Sequence, residues 1–182
     1  MGLAFLPANL IMGAFSLGLS AKLVLRLGIR LPLVTGMALV AVGLALFARA
    51  PAGGSFVVDV LPAMVVLGFG VGMAFNPVLL AAMSDVEQSE AGVASGIVNT
   101  SFMMGGALGL AVLASLAAAR TNDLLATGND PLVALNGGYH AAFVVGAVFA
   151  AAAAVLGGVL LRATKAPEDR EATGAPAPAE VG

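Results

Sequence analysis

The sequence predicts an all-α, polytopic membrane protein, and three observations carry that reading. Five long apolar runs fill almost the whole chain, 60% of its residues are hydrophobic and only 10% are charged, and its mean hydropathy is +1.03. A soluble domain usually carries about a quarter charged residues. In hydrocarbon the backbone must satisfy its own hydrogen bonds, which leaves helices or a closed barrel. Barrel strands alternate in polarity over roughly ten residues. These runs are continuous, so they are helices.

The runs place five transmembrane helices at about 3–24, 31–48, 56–83, 91–119 and 139–161, within one membrane domain of residues 1–163. A helix rises about 1.5 Å per residue and needs roughly 20 residues to cross the hydrocarbon, so each run is long enough. The second is the shortest and crosses with little tilt. The first reads as a span rather than a signal peptide, because its basic residues, Lys22, Arg26 and Arg30, follow the apolar stretch. Residues 164–182 mix Pro, Ala, Glu and Gly and are expected to be a disordered tail.

Basic residues give the bundle a direction. Lys22, Arg26, Arg30, Arg162, Lys165 and Arg170 share one side of a five-span chain, and Arg49 and Arg120 lie on the other. The positive-inside rule then puts the N-terminus outside and the C-terminus in the cytoplasm, in a plasma membrane. The outer connections are 49–55, with Pro51, Gly53 and Gly54, and a longer break at 120–138. In the latter, Asn129-Asp130-Pro131 and Asn136-Gly137-Gly138 both read as turns.

Several function classes drop out. A net charge of −2, spread over loops and tail, predicts no nucleic-acid partner, and the absence of cysteine removes thiolate chemistry and cysteine-ligated metal. The single histidine and the absence of a carboxylate assigned to a span argue against a buried metal site or cofactor. An intramembrane serine protease built on Ser95 and His140 fails on reach. Ser95 lies near the cytoplasmic start of the fourth helix and His140 opens the fifth on the outer side, on the order of 30 Å apart, and a nucleophile and its base must be within about 3 Å. His140, beside Tyr139, reads as an interfacial residue, and no catalytic residue is assigned.

Packing and polar spots supply the remaining candidates. Helices in lipid pack closely through regularly spaced small residues, and Gly68/Gly72, Gly92/Gly96 and Gly105/Gly109 have that spacing. They predict that the third and fourth helices are buried against neighbours. Pro7, Pro62 and Pro77 mark bends near span ends, with Asn76-Pro77 able to open a carbonyl to a cavity. Amides in hydrocarbon usually face protein or water, so Asn9, Asn76 and Asn99 are expected on one concave side. With Ser16, Met73, Phe102 and Met103 they form the proposed substrate path. On the fourth helix Asn99, Met103, Gly106 and Leu110 make one stripe, flanked by Phe102, suited to a greasy and adaptable pocket.

The residues also carry a family resemblance. Gly2-Leu3-Ala4-Phe5-Leu6-Pro7 opening a span, followed by Arg26-Leu27-Gly28-Ile29-Arg30, resembles the C-terminal half of major facilitator superfamily transporters. The segment Glu90-Ala-Gly92-Val-Ala-Ser95-Gly96-Ile-Val-Asn99-Thr100-Ser101, then Gly105-Gly106-Ala-Leu-Gly109, is similar to the penultimate span of the fourteen-span drug:proton antiporter branch. Tyr139-His-Ala-Ala-Phe143 looks like the start of its last span.

The resemblance implies an incomplete C-terminal bundle, one helix short of six. Its first, third and fourth spans would border a central cavity, while the second and fifth brace the outside. Arg26, Gly28 and Arg30 would resemble a cytoplasmic gating loop. Leu25 stands where an acidic residue often precedes that arginine, and Phe102-Met103 replace a polar Arg-Gln pair. The implied function is efflux of hydrophobic or amphipathic small molecules by alternating access, in a lipid bilayer, once an N-terminal half completes the transporter. With no acidic residue assigned to a span, any proton carrier is expected in that half. The alternative is a small membrane scaffold or interaction protein without transport.

Overall fold

A computed structural model describes Gly13, residues 26–84 and residues 86–161. The predicted span 3–24, the tail 164–182 and the candidates Asn9 and Ser16 lie outside the described residues, Gly13 excepted. Among the described residues the protein is all-helical, with four helices long and apolar enough to cross a membrane. These are α1 (Arg30–Phe47), α2 (Leu61–Met83), α3 (Ala91–Ala126) and α4 (Pro131–Leu160). A short π-helical turn, Phe56–Val60, runs directly into α2.

α1 lies between α2 and α4 and packs against both. At the α2 crossing, a Cβ added to Gly36 would fall 2.8 Å from the Gly70 carbonyl oxygen and 2.8 Å from the Ala74 nitrogen. One at Gly70 would fall 2.7 Å from the Val40 nitrogen. The two backbones are in van der Waals contact, which only glycine allows. Gly43 against Leu67 continues the seam one turn and more further on. Gly68 and Gly72 are buried on α2. Gly36, Gly43 and Gly70, which set the α1–α2 approach, fall outside the predicted four-residue pairs.

Antiparallel packing of α1 on α4 runs the whole length of the pair. Leu33 meets Gly157, Val34 meets Gly158, and Leu44 meets Gly146. Phe47 then stacks on Phe143 with ring centroids 5.2 Å apart. Beyond that, His140 Nε2 lies 2.7 Å from the Ala50 carbonyl oxygen, and Asn136 Nδ2 donates to the same oxygen at 3.2 Å. A carbonyl only accepts, so the imidazole nitrogen is the donor here. The last carbonyls of a helix lack intrahelical partners, and these two side chains satisfy the one just past the end of α1. The histidine expected to anchor at the interface is thus a latch between two helices.

The predicted break at 120–138 is corrected. α3 continues to Ala126 and α4 starts at Pro131, leaving Thr127–Asp130 as a four-residue turn. Arg120 and Asp123 end the apolar run but not the helix. Gly128, at φ 83°, ends it: its N–H donates to the Leu125 carbonyl at 3.0 Å, and that of Asn129 to the Leu124 carbonyl at 3.1 Å. This pair of bonds is a Schellman stop. The Asp130 carboxylate then accepts from the Leu132 N–H at 2.9 Å and caps α4, with Pro131 at its first position. Asn136-Gly137-Gly138, read as a turn, is helical. Gly138 faces the Ala117 carbonyl and Thr121, and Gly137 faces Leu124, so these glycines admit α3 closely instead of breaking α4. At about 1.5 Å per residue α3 is about 54 Å long, well beyond the ~30 Å hydrocarbon, so the α3–α4 hairpin extends past the span.

Two further expectations change. Asp59 belongs to the third run, Phe56–Met83, so that span does contain a carboxylate. It sits in the first turn, where it accepts from the Ser55 N–H at 2.8 Å and caps the helix start. The prediction that the fourth helix is buried also fails among the described residues, since none of the 36 residues of α3 is buried. A Cβ at Gly92, Gly96, Gly105 or Gly109 meets no described atom within 4 Å. The spacing that signals close packing is present there without a described partner.

Two outcomes follow from this architecture. Gly128→Ala forces a side chain into the left-handed region and costs about 1–2 kcal/mol, while Gly128→Asn costs less; reversible unfolding in mixed micelles, read by far-ultraviolet dichroism, measures both. Asn136→Leu and His140→Leu each cost about 0.5–1.5 kcal/mol in the same assay. Because both donors serve one oxygen, only the double variant leaves that carbonyl without a donor, and it loses more than the two single losses added.

Candidate functional site

A cavity of about 560 Å³ opens between the second half of α2 and the first half of α3. From α2 it is lined by Phe75, Leu79 and Met83, one helical turn apart in sequence, and from α3 by Ser95, Asn99 and Phe102, with Gly96 and Val98 between. Spacings of four, and of four then three, put each set on one helix face. Phe75 and Phe102 approach across the gap with ring centroids 6.1 Å apart and planes tilted by 38°. This is a tilted aromatic pair within the usual range of ring–ring contact. None of the described lining residues is ionisable. The described walls can hold a ligand by dispersion, ring contacts and neutral hydrogen bonds.

Polar side chains on α3 divide into two groups. The Thr100 hydroxyl donates to the Gly96 carbonyl at 2.8 Å, and that of Ser101 to the Ile97 carbonyl at 2.8 Å. Both are satisfied by their own helix. Ser95 and Asn99 point along the cavity face instead, with no hydrogen bond to any described residue.

The predicted path is only partly assembled. Asn99 and Phe102 line the cavity together. Met103 is 70% exposed and lies outside the lining. Met73 faces the other way, with its sulfur 3.7 Å from the Thr35 hydroxyl of α1, which itself donates to the Leu31 carbonyl at 2.7 Å. Asn76 is half-buried, next to the fully buried Pro77, and does not line the cavity. Phe75, Leu79 and Met83 were missed as lining residues, although their recurrence every four residues is visible in the sequence. Ser95, considered only as a nucleophile, belongs to the cavity. His140 is held by the Ala50 carbonyl, which Asn136 also bonds, at the end of the bundle where α3 meets α4.

The proposed stripe along α3 splits between two gaps. Gly105, Gly106 and Gly109 face a second, almost wholly apolar groove of about 780 Å³ against Met37 and Val40 of α1 and Phe149 of α4. Arg26 and Arg30 are both exposed and flank a turn in which Gly28 takes φ 73°. That turn borders a smaller hollow of about 360 Å³ shared with Gly158 at the end of α4.

Comparison with known proteins fits this architecture. Residues 1–110 match the model of the Major Facilitator Superfamily. The puromycin resistance protein pur8 of Streptomyces alboniger is 32% identical over 162 residues, covering 87% of this chain and 32% of that protein. The cephamycin export protein CmcT of Amycolatopsis lactamdurans is 32% identical over 159 residues, 87% of this chain and 31% of its own. The lincomycin resistance protein of Streptomyces lincolnensis is 38% identical over 117 residues, 63% and 24% respectively. The chain thus spans about a third of the length of the first two relatives. An all-helical membrane domain, a family match over more than half its length and similarity to drug-resistance and export proteins have one reading: this chain belongs to the major facilitator superfamily.

Proposed function

We propose that the chain forms the greater part of the C-terminal half of an exporter for hydrophobic or amphipathic small molecules. The carrying observation is the cavity between α2 and α3, uncharged among its described lining residues, in a chain whose relatives bear the names of antibiotic resistance and export proteins. Transporters of this kind work by rocking two bundles about a site near the bilayer midplane. The described helices supply less than one such bundle, so an N-terminal half completes the machine. The chain sits in the plasma membrane with its N-terminus outside and its C-terminus in the cytoplasm, as its basic residues favour. In that orientation Arg26, Gly28 and Arg30 form a cytoplasmic gating turn, and Asn9, Ser16, Asn99 and Phe102 contribute to the substrate path.

The chemistry of transfer is binding, not bond-making. The completed protein exposes the cavity to one side at a time, and its apolar walls replace water around the substrate. No covalent step is required of any residue here.

Accumulation of puromycin and of a lipophilic dye is the deciding measurement, in cells expressing the chain alone, the chain with its N-terminal half, or neither. Export predicts several-fold lower accumulation only when both halves are present. Equal accumulation in all three strains defeats the export reading and favours a scaffold.

A further inference from the structure

We infer that the α2–α3 cavity is a binding site for an uncharged aromatic group that carries an amide or carbonyl, held by Ser95 and Asn99 at its polar end and by the Phe75–Phe102 pair at its aromatic end. The inference takes the export reading as the biological use of the site, but its grounds are the side chains themselves.

The first ground is hydrogen-bond accounting along one turn and a half of α3. Four polar side chains lie within seven residues, at 95, 99, 100 and 101. Thr100 and Ser101 donate to their own helix at 2.8 Å each. Ser95 and Asn99 have no bond among the described residues, stand one turn apart and share the cavity wall. An unmade amide or hydroxyl hydrogen bond is costly in an apolar setting. Asn99 offers two donors and an acceptor, and Ser95 a donor and an acceptor. Together they complement a ligand amide, which presents one of each.

The second ground is the opposite end of the same wall. Phe102 stands two turns from Ser95 on that face and meets Phe75 from α2 at 6.1 Å. Rings at this spacing accept a third ring edge-on or offset. The third ground is charge. None of the described lining residues is Asp, Glu, Lys, Arg or His, so the described walls offer a cationic or anionic group no counter-ion for the hydration it would lose. A volume of about 560 Å³ falls within the range of small-molecule sites, roughly 300–1,000 Å³.

The test uses the full chain in lipid nanodiscs with 4-azidobenzanilide as a photolabel. The competitors are benzanilide, trans-stilbene (the same shape without the amide) and benzyltrimethylammonium. The site predicts saturable labelling within residues 75–102, with benzanilide competing about five- to tenfold better than stilbene, the worth of one or two neutral hydrogen bonds. The cation competes least. Asn99→Leu removes the preference for benzanilide over stilbene while labelling persists, whereas Ser101→Ala leaves the preference intact because that hydroxyl is already satisfied. Both positions are exposed on α3, and unchanged helical dichroism verifies the fold of each variant. Labelling that is absent, or concentrated at 105–113 and 146–150 along the second groove, overturns the inference. So do equal competition by all three compounds and an unaltered preference in Asn99→Leu. If this pattern holds while the accumulation assay shows no export, the site stands and the export reading falls.

Discussion

The bundle depends on how closely the α1 backbone approaches α2 at Gly36 and Gly70. Lipid tails are as apolar as the side chains, so no hydrophobic drive presses these helices together. What remains is dispersion, which falls away steeply when atoms are held even an ångström too far apart. Backbone contact between Gly36 and Gly70 brings Val40, Leu67 and Ala74 within range together. The opposite side of α1 is fixed in turn by Phe47 on Phe143 and by the latch on Ala50. α1 is the element against which α2 and α4 are both positioned.

α3 is held in a different way. The Schellman stop at Gly128 and the Asp130 cap fold it back tightly on α4, and Gly137 and Gly138 admit it closely at that end. Towards its N-terminus Phe102 meets Phe75 of α2. A gap lies on each flank of the helix. One is the cavity with Ser95 and Asn99; the other is the apolar groove with Gly105 and Gly109. The same geometry that leaves α3 without buried residues therefore creates the places where a ligand, or further parts of a longer protein, would fit.

The membrane class and the existence of four of the five helices were legible because hydropathy integrates over many residues and tolerates local error. Boundaries were less so. Arg120 and Asp123 lower hydropathy without breaking a helix, so an apolar-run criterion stops α3 early. Gly137-Gly138 looks like a turn unless the partner that needs the space is known. Asp59 was overlooked as an intraspan carboxylate because it sits in a first turn that caps itself. The site was half legible. Asn99 and Phe102 share a helix face, and helix periodicity reveals that. Which α2 residues stand opposite depends on the tilt between helices, and no spacing rule supplies it. Gly36, Gly43 and Gly70 escaped a four-residue search because their pairing is across helices rather than along one.

Glycines that look alike in sequence thus have opposite status in the structure, and this offers the most direct test of the account. The measurement is the unfolding free energy of the full chain in mixed micelles for Gly36→Val, Gly70→Val and Gly105→Val, each with the same change in side chain and helix propensity. Overpacking at the α1–α2 crossing should cost Gly36→Val and Gly70→Val about 1–3 kcal/mol each. Gly105→Val, whose added Cβ meets no described atom within 4 Å, should stay within about 0.5 kcal/mol of the parent. Equal losses at all three positions, or a larger loss at Gly105, would contradict the claim that the Gly36–Gly70 crossing holds the bundle together.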